Sequence, residues 1–197
     1  VRMHLPYLQL DDRLDAVLAR QRHAAPELVG QFREQFHMSW LYHELSLEGV
    51  VLEENDLRRA LRGQAGRDYC DDVLLHKIRC ARDAFAQVRT DAFARRPVTR
   101  ATIDTYHALF RGRSTGDMYR TDSGATEAYK HDVVEPEDIE RHLDQIVAML
   151  NDESGLHHPV KRAIVVHYRF IKAWPFQAHS AAVARMISNL LLMRHGY

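Results

Sequence analysis

Residues 167–197 read HYRFIKAWPFQAHSAAVARMISNLLLMRHGY. Two apolar runs flank a break at Trp174-Pro175-Phe176. Proline cannot continue a helix, and it disfavours helical backbone at the residue before it. The stretch therefore predicts two helices joined by a tight turn. Upstream, Ala163, Ile164, Val165, Val166 and Phe170 are apolar on most sides, which predicts a central helix starting at Pro159.

Working back toward the start, the pattern stays helical. Ile139, Leu143, Ile146 and Leu150 predict the buried face of a helix that Pro136 opens. Thr99 predicts the cap of a helix over 100–110, with Ile103, Tyr106, Leu109 and Phe110 facing in. Residues 67–88 predict a long helix through Val73, Leu74, Ile78, Ala81, Phe85 and Val88. Asn55 is the expected cap of a short helix ending near Gly63. Leu28, Phe32, Phe36, Trp40 and Leu41 form an expected core stripe on a helix from Pro26 to Leu47. Leu10, Leu14, Val17 and Leu18 do the same over 9–22. Residues 112–135 are the non-helical island, where Met118-Tyr119-Arg120 and 129–134 read as a small hairpin.

Composition narrows the function classes. Lys plus Arg total 27 and Asp plus Glu total 27, with a pI near 7.4. Such balance gives no electrostatic case for nucleic acid or a membrane surface. No apolar run approaches the ~18 residues needed to span a bilayer. The start VRMHLPYLQLDD lacks the basic-then-apolar order of a secretory signal. The expectation is a cytoplasmic protein. Cys70 and Cys80 lie about 15 Å apart along one helix, too far for a disulfide. Both are expected to be buried free thiols, and no histidine spacing suits a metal.

The closing stretch resembles the signature of the Fic (Fido) family, H-P-F-x-[D/E]-G-N-G-R-x-x-R inside the frame H-x-x-F-x-x-I-H-P-F. The frame matches at His167, Phe170, Pro175 and Phe176, and the final arginine matches at Arg185. The downstream N-L-L-L…G-Y matches at 189–192, Gly196 and Tyr197. The resemblance implies an all-α bundle of about eight helices with one small β-hairpin flap. It spans residues 31–197, preceded by a helical extension over 1–30, and further chain is expected beyond Tyr197. It also implies transfer of AMP from ATP, with Mg²⁺, to protein hydroxyls.

The positions that would carry that chemistry are changed. Trp174 stands where the catalytic histidine belongs, and indole N–H is a donor only. Ala178 replaces the metal carboxylate, and Ala182 replaces a phosphate arginine. His179 and Ala181 replace the two glycines, with Ser180 between them. A domain that lacks AMP transfer and binds or regulates a protein is the expectation, with neither metal nor cofactor. Residual anion binding would fall to Ser180 and Arg185, with Ser180 capping the last helix. The alternative is a divergent transferase in which His179 substitutes as base.

Two further matches lie upstream. SWLYHELSLEGVVLE, residues 39–53, is similar to the inhibitory helix before some Fic cores, [S/T]-x-x-x-E-[G/N]. Glu48-Gly49 match, and Glu44 stands at the Ser/Thr position. The resemblance implies that Glu48 pairs with Arg185, as a gate or as a structural bridge. GDMYR, residues 116–120, resembles the start of the flap that aligns a target chain by strand pairing. Met118, Tyr119 and Arg120 are thus candidate contacts for a protein partner, a paralogue or a target chain. A homodimer is a further expectation.

Overall fold

The computed structural model describes residues 5–112, 119–122, 133–154 and 157–197. Among them are eight α-helices: α1 Leu5–His23, α2 Pro26–Leu47, α3 Glu54–Leu61, α4 Tyr69–Ala94, α5 Arg100–Arg111, α6 Ile139–Leu150, α7 Pro159–Ala173 and α8 Ser180–Arg194. The all-α expectation holds.

Helix α8 is the axis of the bundle. Ala182, Val183, Ala184, Met186, Ile187 and Leu190 are fully buried, on several sides of the helix. Helices α4, α5 and α7 surround it. Small side chains early in α8 let α7 and α4 approach closely, as packing at interior density requires. Helix α6 covers α7, burying Ile139, Leu143, Ile146 and Leu150 as their spacing predicts. Helix α4 carries Leu75, Ile78, Ala81, Ala84 and Val88 into the same core.

Chain turns are set by short polar devices. Thr99 caps α5, accepting from Thr102 N–H. Asn151 ties the end of α6 to the segment before α5, with Nδ2 donating to Val98 O at 2.7 Å and Oδ1 accepting from Val98 N at 2.8 Å. Gly49, at φ 77°, lets the chain leave α2 through left-handed backbone that a β-carbon would strain.

Several expectations are corrected. Leu28, Phe32 and Phe36 are exposed on the first half of α2, because no element among the described residues covers that face. Only its second half reaches the core, through Leu41, Glu44 and Leu45. Val17 and Leu10 of α1 are likewise exposed. Ile164 is 61% exposed, so α7 buries one side only. Cys70 is exposed, and Cys80 alone is buried. The cap of α3 is Glu53, paired reciprocally with Asp56, rather than Asn55. Pro136 opens a 3₁₀ turn, Pro136–Asp138, and α6 begins after it.

No hairpin forms among the described residues. Met118 and most of its expected return strand lie outside them. Tyr119 pairs instead in an antiparallel bridge with Phe176, and Arg120 N–H donates to Pro175 O at 2.8 Å. Val134 N–H donates to Lys172 O at 3.1 Å. Both sides of the island are stitched to the α7–α8 turn.

Candidate functional site

The turn from α7 to α8 begins at Trp174, whose φ of 40° and ψ of 59° end α7 in left-handed backbone. Its N–H still reaches Phe170 O at 2.8 Å. The conformation is uncommon for a bulky residue. It is held by Arg120, which is buried and spreads its guanidinium over the end of α7. Arg120 Nε donates to Trp174 O at 2.8 Å and Nη1 to Asp122 O at 2.6 Å, while Nη2 donates to Val134 O. Helix C-termini leave carbonyls without partners, and here one cation satisfies several. Arg120 is therefore a strut under the turn, not an outward contact. Burial holds its pKa below the ordinary guanidinium value.

Phe176 is the hydrophobic anchor. It is fully buried, with the His107 ring stacked on it at 3.8 Å and only 2° from parallel. Tyr119 lies 5.8 Å and Phe170 6.2 Å from its centroid. His107 Nε2 donates to Ala178 O at 3.1 Å. Burial lowers the His107 pKa to about 4, so the ring is neutral. Tyr119 Oη donates to Asp104 Oδ1 at 3.1 Å, and burial raises the Asp104 carboxyl above its usual range.

Ser180 is the first residue of α8, and His179 before it occupies the cap position at φ 66°. The expected Ser180 cap is thus displaced by one residue. Ser180 Oγ accepts from Phe176 N–H at 2.9 Å and donates to Phe176 O at 3.0 Å. A hydroxyl so occupied, and wholly buried, has nothing left to offer an anion. The backbone at 179 keeps a shape that favours glycine, although glycine is gone.

Opposite this turn, α2 presents two carboxylates one helical turn apart. Arg185 Nη2 donates to Glu48 Oε1 at 2.8 Å, and Arg185 Nε donates to Glu44 Oε1 at 2.5 Å. His179 Nδ1 donates to the other oxygen of Glu48 at 2.7 Å. A carboxylate only accepts, so the shared proton belongs to Nδ1. Glu44 is 4% exposed. Burial pushes its carboxyl above the ordinary range, since one guanidinium serves two acids. Burial opposes ionisation of Glu48 too, but the bonds from His179 and Arg185 outweigh it and its pKa falls. The paired carboxylates likewise outweigh burial at Arg185 and raise its pKa.

Glu48 and Arg185, matched from two distant motifs, thus meet directly. Glu44 was missed as a partner, although it lies four residues before Glu48 on the same helical face. His107 was missed because an isolated histidine carries no spacing signal. The residues that would grip ATP and Mg²⁺ do not fit them. Position 178 holds no carboxylate, Ser180 is closed on Phe176, and Arg185 is held by Glu44 and Glu48. Among the described residues no three His, Cys, Asp or Glu side chains gather as a metal site.

The Fic/DOC family model matches residues 97–192. The protein adenylyltransferase fic-1 of Caenorhabditis elegans is 27% identical over 177 residues, which cover 84% of this chain and 33% of that protein. The chain spans about a third of the length of the curated relatives it matches. A Fic domain containing signaling protein from Bacteroides thetaiotaomicron superposes with a TM-score of 0.81 at 21% identity, covering 94% of this chain and 73% of its own. Fic-1 of C. elegans, residues 134–508, superposes at 0.72 with 23% identity, over 98% of this chain and 60% of its own. The motif frame, the meeting of Glu48 with Arg185 and these likenesses agree: the chain is a Fic/Fido-domain protein, related to the protein adenylyltransferases.

Proposed function

We propose that this Fic domain does not transfer AMP and acts as a protein-binding or regulatory module. The observation that carries the reading is the state of Arg185. It is the remaining motif arginine, and Glu44 and Glu48 both hold it. One carboxylate could be a gate that swings away. Two, with Glu44 buried, make a closed structural bridge. Opening it would strand buried charge, which typically costs ~3–5 kcal/mol. Trp174, buried at the position of the base, supports the same reading, since losing a general base removes roughly 10²–10⁴-fold in rate.

The proposed partner is a protein, either a catalytic paralogue or a former target chain, aligned beside the extended backbone at Tyr119. That backbone is already paired with Phe176, which supports a preformed strand edge. The proposed compartment is the cytoplasm. Two free cysteines suit it, and no helix among the described residues is long and apolar enough to cross a membrane.

One observation favours a second reading. A carboxylate on Nδ1 is the arrangement that orients an imidazole for proton transfer at Nε2. Glu48 holds His179 in that way. A divergent transferase would then use His179 as its base. Incubation with labelled ATP, CTP or UDP-sugars and a lysate of acceptor proteins separates the two. The expected result is no transfer and no calorimetric binding of ATP with Mg²⁺. Labelling that disappears in His179→Ala would establish the enzyme instead.

A further inference from the structure

Helices α4, α6 and α8 all end, and α7 begins, around one cavity of about 660 Å³. It lies at the far end of α8 from His179, about 20 Å away by helix rise. Of the residues matched to the motif only Leu191 lines it. The volume is that of a site for a small organic molecule.

Three guanidiniums line it: Arg95, Arg162 and Arg194. Each spends one nitrogen on a backbone carbonyl. Arg162 Nη2 donates to Met149 O at 2.9 Å, Arg95 Nη2 donates to Arg194 O at 3.1 Å, and Arg194 Nη2 donates to Arg96 O. Their remaining N–H groups make no ion pair among the described residues. Arg162 is 7% exposed, and the Nε of Arg194 is buried without an acceptor. Buried donors left open in this way are uncommon and ask for a partner.

Asp91 and Glu153 act on Arg194 from a distance, as Asp152 does on Arg162, but none of them forms an ion pair with these guanidiniums among the described residues. Asp152 and Glu153 stand on the rim, and Asp152 Oδ1 is taken by Ser154 N–H at 2.9 Å. The three helix C-termini contribute roughly half a negative charge each, and they are already bonded. His195 reports the balance. Burial lowers its pKa, and Arg162, Arg95, Arg194 and His158 all push it further the same way. One wall is rigid: His158 accepts from Val160 N–H at 3.3 Å, faces Asp11 at 3.2 Å and stacks on Tyr7 at 4.3 Å.

We propose that this cavity binds a small phosphate-bearing molecule, with Arg95, Arg162 and Arg194 as its phosphate ligands. Three guanidiniums lining one cavity from different parts of the chain suit a tetrahedral anion, whose oxygens accept from several directions. The cavity is larger than a bare phosphate, which leaves room for an organic remainder.

Inorganic pyrophosphate is the probe, titrated at about 0.15 M salt by calorimetry and by histidine side-chain NMR. The expected result is saturable binding with Kd below about 1 mM. The His157 and His195 ring signals should move while those of His179 stay. Arg95 is exposed and its replacement does not threaten the fold, so Arg95→Gln should weaken binding at least tenfold. Arg162→Lys should also weaken it, since charge is kept and the fork is lost. No saturation by about 10 mM, unchanged affinity in Arg95→Gln, or shifts at His179 instead would each overturn the proposal. Tighter binding of citrate than of pyrophosphate would overturn the assignment to phosphate.

Discussion

His179 shows how one residue can satisfy its neighbours and strain its own backbone. A β-carbon in left-handed backbone costs roughly 1–2 kcal/mol. His179 sits there at φ 66°, and the bond to Glu48 offsets the strain. Removing the imidazole separates the two effects. Urea unfolding should find His179→Gly more stable than His179→Ala by about 1 kcal/mol, because only glycine relieves the backbone. Equal stabilities would mean that the turn relaxes when the ring is lost. Glu44 makes the complementary point. Its position is occupied by Ser or Thr in the motif it resembles, yet here it gives Arg185 a second carboxylate at 2.5 Å.

At the scale of elements, caps decide where helices begin. Glu53 and Asp56 close the start of α3 by reciprocal bonds, with Glu53 N–H donating to Asp56 Oδ2 at 2.9 Å. Asn55 points into solvent one position inside the helix. Thermal or urea denaturation should therefore find Asn55→Ala within about 0.5 kcal/mol of the parent. Thr99→Ala should lose about 1 kcal/mol, because Thr99 accepts from Thr102 N–H. A large effect at Asn55 would contradict the cap assignment. The turn between α7 and α8 obeys another logic. Trp174 would be a poor helix terminator alone, and Arg120, from the other side of the chain, makes the conformation tenable by bonding its carbonyl.

For the whole molecule, the buried His107 contributes to the response to acid. Burial lowers His107 to about 4, from the ordinary histidine value of 6.5. Between those values the unfolded chain holds more protons than the folded one. Stability is therefore present above pH 6.5 and is lost as pH falls toward 4. From pH 7 to pH 5 the loss from this residue is about 2 kcal/mol. His37 and His167, both half-buried, are shifted the same way and add to the slope. Urea midpoints at the two pH values should fall for the parent and fall less for His107→Gln, whose amide can still donate to Ala178 O. An unchanged slope in the variant would show that His107 titrates alike in the folded and unfolded chain.

The linear chain determined the architecture, because helical periodicity, proline breaks and threonine caps act within a few residues of one another. The buried faces of α4, α5 and α6 were legible for that reason. So was the turn at Trp174-Pro175-Phe176, with tryptophan and alanine standing at positions 174, 178 and 182. Tertiary structure decided what lies across space. It left Phe32 and Phe36 bare, although their spacing suits a core, because no element among the described residues covers them. It closed Ser180 on Phe176, turned Arg120 inward and gave Arg185 to two carboxylates more than 130 positions earlier in the chain. It also gathered three arginines at helix ends that no local pattern connects. Periodicity reports which side of a helix is apolar; only packing reports what meets that side, and the chemistry of a buried charge depends on the meeting.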